Sequence, residues 1–267
     1  MDILGVDIGG SAQVLSLSLT TTMDILGVDI GGSGIKGAVV DTLTGELKTE
    51  RIRIPTPQPA TPEAVAETLK QLVDQIGFKG PIGCGFPARV IDGEVLTAAN
   101  IDKSWINVKV EELFTSVVGQ QVYVANDADV AGLAELTFGA VKDYKGPVLF
   151  LTIGTGIGSA LFINGQMYPN TEFGHIKFKG DIAEHYCADS VREKEDLGFK
   201  EWGERLNKFL EYIAFLTQPD FIVLGGGVSK KFEKYASKLT LSTKVVPAKT
   251  LNLAGIIGAA MYAKTRI

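Results

Sequence analysis

Residues 23–41 read MDILGVDIGGSGIKGAVVD. An apolar strand, Ile25–Asp29, ends in an acid; the turn Gly31-Gly32-Ser33-Gly34 follows, and a second strand runs Ile35–Asp41. Glycines let backbone N–H groups approach a phosphate, and an Asp at a strand end can hold Mg2+, often through water. The same residues also make a tight hairpin with an Asp-capped turn, and alone the motif does not choose. A second unit tips the balance. Val148–Ile153, Gly154-Thr155-Gly156-Ile157-Gly158 and Ser159–Ile163 set TIGTGIGSALFI beside DIGGSGIKGAVV. Two strand–turn–strand units with glycines and a hydroxyl at each tip suggest an internal duplication aimed at phosphate. The second turn is not followed by Gly-Lys-Ser/Thr, so it is no P-loop, and no dinucleotide fingerprint fits.

Working outward, Leu47–Ile54 reads as a third strand, and Pro55, Pro57 and Pro59 as a stiff connector. Thr61 before Pro62 is a capping residue followed by Pro at the first helical position. Val65, Leu69, Leu72, Val73 and Ile76 form that helix's apolar stripe, and Gly77 stops it. Ile82–Phe86 and Val122–Ala125 are further strands, and Asn126-Asp127 opens a helix over Ala128–Leu136. Trp202, Leu206, Phe209, Leu210, Ile213 and Leu216 mark a long amphipathic helix. Phe221–Leu224 is a strand running into Gly225-Gly226-Gly227, and Leu253–Ala263 is a helix of small residues. Each half thus holds a hairpin, a helix and a further strand. The expected fold is α/β, with lobes over 23–137 and 138–251, a central cleft, and a C-terminal helix in 252–267 completing the first lobe.

The 267 residues are 45% apolar and 21% charged, a balance that excludes wholesale disorder. The length suits one large domain or two smaller ones sharing a cleft. Two cysteines, Cys84 and Cys187, cannot staple such a chain and suit a reducing cytoplasm. No apolar run approaches membrane-spanning length, and the first residues hold Asp2 and Asp7 without Lys or Arg, so neither a membrane span nor a signal peptide is expected. The net charge of -5 conceals an asymmetry: residues 225–267 carry eight basic residues and a single acid, Glu233. That field suits a polyanion, or is a solvated face. Met1–Ser11 and Met23–Ser33 are identical, and only the second copy continues into the hairpin. Residues 1–22 therefore read as an extension without function of its own. Were the first copy to take the strand slot, residues 12–33 would bulge from the turn at a loop-closure cost of roughly a few kcal/mol. Val14–Leu19 alternates at the strand period and could pair with a sheet edge.

LGVDIGGSGIKGAVVD, ANDADVAGLAE, LTIGTGIGSALFING, NTEFGH and FIVLGGGVSKKF, in that order, resemble the ROK family of sugar kinases over essentially Met23–Ile267. AANIDKSW and YPNTEFGH look most like its polyphosphate glucokinase branch. The resemblance implies a two-lobed, actin-like (ribonuclease H-like) sugar kinase fold. It implies transfer of a phosphoryl group from inorganic polyphosphate, with ATP as the alternative donor, to the 6-hydroxyl of glucose, with Mg2+ required. A sugar hydroxyl has a pKa far above 7 and needs a positioned base; by resemblance Asp127 is that base. Asn100, Asn126, Glu172 and His175 are the implied sugar ligands, together with Glu184, although the residues before it depart from the family pattern. On the donor side stand Asp29, Gly31, Gly32, Ser33, Gly34 and Lys36, then Gly154, Thr155 and Gly156, then Gly225, Gly226 and Gly227. Asp29 is the implied Mg2+ holder, through water. Ser229 should cap a helix whose Lys230, Lys234 and Lys238 form an i, i+4 stripe, a track for a phosphate chain.

Each of these residues has a plainer reading. Asp127 could be a helix cap, Lys36 could sit on the strand's wet side and Asp102 could belong to a turn; Asp129 reads as a first-turn helix charge. His175 could be a hydrogen-bonded core histidine, and the lysines a solvated face. Many family members carry a cysteine cluster after the histidine; this chain has only Cys187 beside His185, and a structural zinc site wants four ligands, so no zinc is expected. The resemblance further implies a cytoplasmic homodimer with neither nucleic acid nor membrane as partner. Two rivals remain: an ATP-only sugar or amino-sugar kinase, and a sugar-sensing repressor or binding module. A repressor needs an added helix-turn-helix, for which 22 residues are too short and too β-like.

Overall fold

The computed structural model describes residues 23–98 and 101–267. The extension 1–22 and the expected sugar ligand Asn100 lie outside the described residues. In chain order the first half forms β1 (Asp24–Gly31), β2 (Gly34–Asp41), β3 (Ile52–Ile54), α1 (Pro62–Ile76), β4 (Ile82–Phe86), a small ribbon of β5 (Val90–Ile91) and β6 (Glu94–Val95), α2 (Val110–Val118), β7 (Val122–Asn126) and α3 (Asp127–Thr137). The second half forms β8 (Val148–Ile153), β9 (Ile157–Ile163), β10 (Gln166–Tyr168), a ribbon of β11 (Lys177–Phe178) and β12 (Asp181–Ile182), α4 (Glu184–Cys187), α5 (Asp189–Lys194), α6 (Phe199–Thr217), β13 (Phe221–Gly226) and β14 (Lys244–Pro247). Helix α7 (Ala254–Lys264) closes the chain.

Two five-stranded sheets result, ordered β3-β2-β1-β4-β7 and β10-β9-β8-β13-β14. In each, a three-stranded antiparallel meander is extended by two parallel strands. The suspected duplication is therefore one of topology, with the second copy of the N-terminal repeat forming β1. The central strands β4 and β8 are buried along nearly their whole length, as strands covered on both faces must be.

Helices α1 and α2 cover the outer face of the first sheet, and α6 that of the second. Between the sheets lie α3 and α7. Ile256, Ala260 and Ala263 of α7 pack on Ile25, Ala38 and Val40, while Ala254 and Ile257 join Ala131 and Ala134 of α3 against Val148, Phe150 and Phe162. A helix buried on both sides must be slim, which accounts for the Ala and Gly content of α3 and α7. The approach is close: a side chain at Gly83 would collide with the Ala259 carbonyl.

Helix α1 begins and ends as its sequence dictates. Thr61 Oγ1 accepts the Ala64 N–H at 3.4 Å, Pro62 follows, and Gly77 takes the left-handed conformation at φ +71°. Two expectations need correction. The third strand is reduced to Ile52–Ile54 with a lone bridge at Leu47, because the Thr49 hydroxyl accepts the Val39 N–H at 3.0 Å. The helix expected after Ser229 is a pair of 3-10 turns, Gly227–Lys234 and Ala236–Lys238, broken at Lys231. Ser229 Oγ donates to Gly226 O at 2.8 Å and caps nothing. The i, i+4 lysine stripe therefore does not form: Lys230 and Lys234 are exposed, and Lys238 pairs with Glu204 at 2.6 Å. Among the described residues no helix is long and apolar enough to cross a membrane.

Candidate active site

Strands β1, β4, β7, β8 and β13 run out into one cleft of about 830 Å³. Such crevices beyond strand carboxyl ends are where α/β sheets take ligands. Strand β1 delivers Gly31 and Gly32, β4 leads to Arg89, β7 delivers Asn126 and Asp127, β8 leads to Gly154, Thr155 and Gly156, and β13 delivers Gly226. Glu172, His175 and Glu184 complete the wall. Of the residues expected from sequence, Asp29, Ser33, Gly34, Lys36, Gly225, Gly227, Lys230 and Lys234 are not part of the lining.

Asp127 stands at the first position of α3, but the cap is its neighbour. Asn126 Oδ1 accepts the Ala128 and Asp129 N–H groups at 2.9 and 3.2 Å, and its Nδ2 donates to Ala88 O at 3.2 Å. Relieved of capping, Asp127 takes one hydrogen bond, from the Ala128 N–H at 2.8 Å. Burial, then the negative charges of Asp29 and Glu172, push its carboxyl up to about 7. A carboxylate so placed is a competent base near neutral pH. Asp29 lies in register with Lys36 and Gly85, with Lys36 Nζ 3.2 Å from its Oδ2. Lys36 thus neutralises the acid at the root of the hairpin.

Asp129 is a correction. It is 1% exposed and is no surface helix charge. Its Oδ2 accepts the Asn170 N–H at 2.7 Å, while Oδ1 is buried without a partner. Burial pushes this carboxyl to about 7 as well. Asn170 in turn clasps Val90: its Oδ1 accepts the Val90 N–H at 3.1 Å and its Nδ2 donates to Val90 O at 3.0 Å. The clasp ties the two halves together beside Asp129.

On the opposite wall His175 lies between two glutamates, with Nδ1 2.9 Å from Glu172 Oε2 and Nε2 3.5 Å from Glu184 Oε1. Glu184 Oε2 also accepts the Ile157 N–H at 3.1 Å, so this residue both lines the cleft and supports the second glycine turn. Glutamates, an imidazole and an amide facing one hollow offer the paired donors and acceptors that vicinal hydroxyls need.

At the turn tips, Gly32 and Gly154 have no left-handed backbone, and a side chain added at either would meet open space. The fold does not require glycine there. A ligand drawn close to the backbone would. Among the described residues no three His, Cys, Asp or Glu side chains converge to hold a metal. Cys187 is buried, its Sγ donating to Ala183 O at 3.4 Å and its own carbonyl accepting the Trp202 indole N–H at 3.0 Å. Sequence reasoning passed over Arg89, Thr97, Ile101 and Thr152, all of which line the cleft. The signal for Arg89 was its place just past a buried, glycine-rich strand.

The ROK family profile matches residues 25–198. The polyphosphate glucokinase of Mycobacterium tuberculosis (strain CDC 1551 / Oshkosh) is 48% identical over 258 residues, 96% of this chain and 89% of that protein. Among solved structures, an inorganic polyphosphate/ATP-glucomannokinase from Arthrobacter sp. strain KM superposes with a TM-score of 0.87 at 43% identity, covering 91% of this chain and 99% of the other. A ROK family glucokinase from Streptomyces griseus, in complex with glucose and AMPPNP, gives a TM-score of 0.78 at 23% identity over 91% of this chain and 100% of the other, a likeness of fold.

Proposed function

The chain belongs to the ROK family, and from that premise we propose that it is a glucokinase that transfers a phosphoryl group from inorganic polyphosphate, with ATP as a second donor, to the 6-hydroxyl of glucose. One observation carries the reading: Asp127 shares a single cleft with both glycine turns on one side and with Glu172, His175 and Glu184 on the other. The sugar rests against Asn126, Glu172, His175 and Glu184, with Asn100 added by sequence. Its 6-hydroxyl oxygen attacks the terminal phosphorus while Asp127 takes the proton. The bond from that phosphorus to the bridging oxygen breaks, and the shortened chain leaves with the electron pair. The N–H groups around Gly31–Gly34 and Gly154–Gly156 bind phosphate oxygens as charge redistributes.

Asp29 would hold Mg2+ through water; a single carboxylate fits an ion that keeps several waters and takes substrate phosphates as ligands. Bound there, Mg2+ supplies charge neutralisation to the phosphates. Lys36, paired to Asp29, holds that carboxylate in place. The exposed Lys230, Lys231 and Lys234 beside Gly225, Gly226 and Gly227 offer positive charge to the rest of a phosphate chain, as a cluster of point charges in place of a helical stripe. Tyr212, Phe215 and Leu216, exposed near the end of α6, supply an apolar face for a homodimer.

The test is turnover with glucose as acceptor and long-chain polyphosphate or ATP as donor. Glucose 6-phosphate from polyphosphate at higher kcat/KM than from ATP supports the assignment. Activity with ATP alone would remove polyphosphate from it, and inactivity with every donor would remove the kinase reading.

A further inference from the structure

Arg89 is the one lysine or arginine among the described residues that line the cleft. Its backbone is held from several sides. Thr97 Oγ1 accepts the Arg89 N–H at 3.2 Å, and Arg89 O accepts the Leu96 N–H at 3.0 Å. Its neighbour Ala88 is tied to Asn126, beside the base, and its other neighbour Val90 is clasped by Asn170, two residues before Glu172. The root of the side chain is thus fixed between the base and the glutamate wall. Yet the Arg89 Nε is buried and has no hydrogen-bond partner. A buried donor left without an acceptor costs stability, and in a substrate cleft it marks a place that a ligand completes.

The chemistry of the wall says what kind of ligand group that is. Carboxylates such as Asp127, Glu172 and Glu184 accept hydrogens from sugar hydroxyls, while the hydroxyl oxygens need donors; the His175 nitrogens already face Glu172 and Glu184, and Asn126 Nδ2 already donates to Ala88 O. A guanidinium offers donors in a fixed fork and stays charged at every working pH. We propose that Arg89 is a sugar-contacting residue: its guanidinium turns to donate to one hydroxyl oxygen of the bound hexose, and so helps decide which hydroxyl pattern the site accepts. The inference rests on the sugar kinase reading above and extends it to a residue which that reading does not use.

The experiment is a double-mutant cycle between Arg89 and the sugar. Binding of glucose, 2-deoxyglucose, 3-deoxyglucose, 4-deoxyglucose and 1,5-anhydroglucitol is measured by calorimetry without donor, on the full chain and on Arg89→Met. The substitution should weaken glucose by about 10- to 100-fold, the range for a hydrogen bond to a charged group. One analogue, already weak on the wild type, should lose much less, and the polyphosphate KM should stay where it was. Equal losses for glucose and every analogue, an unchanged glucose affinity, or a raised donor KM alone would overturn the inference. If Arg89→Met does not fold, Arg89→Lys carries the same cycle, with a partial loss expected. Wild-type protein that binds no hexose refutes the kinase reading itself; hexose binding without coupling to Arg89 refutes this inference alone.

Discussion

The two glycine hairpins share a topology and differ in chemistry. At the first, Asp29 and Lys36 form an ion pair at the root, Arg53 Nη2 donates to Ser33 O at 2.6 Å, and Thr56 Oγ1 donates to Gly31 O at 2.5 Å. At the second, among the described residues, no charged pair stands at the root. Ser190 braces it, N to Gly154 O at 3.1 Å and Oγ to Thr155 O at 2.6 Å, with Glu184 taking the Ile157 N–H. The two hairpins share a strand pattern, and side chains gave the first an ion pair at its root and the second a hydroxyl and a carboxylate as braces. Asp127 belongs to neither hairpin: it starts the helix laid between the sheets and feels the charge of Asp29.

The sharpest way to break this division is at the base. Asp127→Asn should cut kcat by about 10²- to 10⁴-fold while glucose binding by calorimetry stays within tenfold. Turnover near wild type would mean that neither hairpin needs a base between them. The pH dependence probes the coupling to the first hairpin. With its carboxyl near 7, raised first by burial and then by Asp29, Asp127 should give a kcat/KM that rises through about pH 7. Asp29→Asn should lower the Asp127 midpoint in carboxyl NMR of the Mg2+-free protein. The sign for stability follows from the same shift. Asp127 and Asp129 bind protons more tightly folded than unfolded, from an ordinary 3.8 up to about 7. Their contribution is complete below the unfolded value and is lost as pH rises from about 4 to about 7. Thermal melts should therefore show Asp129→Asn gaining on the wild type across that window.

Next in size come the tips. Gly32→Val and Gly154→Val should each raise the donor KM by roughly tenfold or more with little change in melting temperature, since both positions face open space. Gly226→Ala should instead destabilise by about 1–3 kcal/mol, because Gly226 sits at φ +75° against the Ile153 backbone. Equal thermal loss in all three would mean that the tips are shaped for folding and not for ligand.

The smallest effects separate the braces. Thr56→Val and Ser190→Ala each remove one side-chain hydrogen bond, worth about 1 kcal/mol, and should raise the donor KM a few-fold. Arg53→Met should do the same with a loss that shrinks at high salt, since an exposed cation is screened while a neutral hydroxyl is not. A salt-sensitive Ser190→Ala would erase the distinction between the hairpins.

Much of this was legible in the chain. Period-two runs and glycine punctuation mark both hairpins, and Thr61-Pro62 and Gly77 bound α1 within a residue. The lysine stripe misled, because spacing predicts a face only if the segment is a helix, and the backbone here breaks at Lys231. Asp129 misled for the opposite reason: a first-turn acid is usually solvated, and only the arrival of Asn170, 41 residues away, shows it to be a buried acceptor. Arg89 carried no motif at all.

By itself the sequence determined the local pieces, since turns, caps and strand runs depend on residues a few positions apart, and it marked Asp29, Asp127 and the glycine tips as candidates. Tertiary structure alone decided which of them meet. Burial of two sheets against the shared α3–α7 layer brings five strand ends to one cleft, gives the cap to Asn126 so that Asp127 stands free, and leaves the Arg89 Nε buried without a partner. Those outcomes depend on long-range packing and on the low dielectric it creates around the carboxyls, and no stretch of neighbouring residues encodes them.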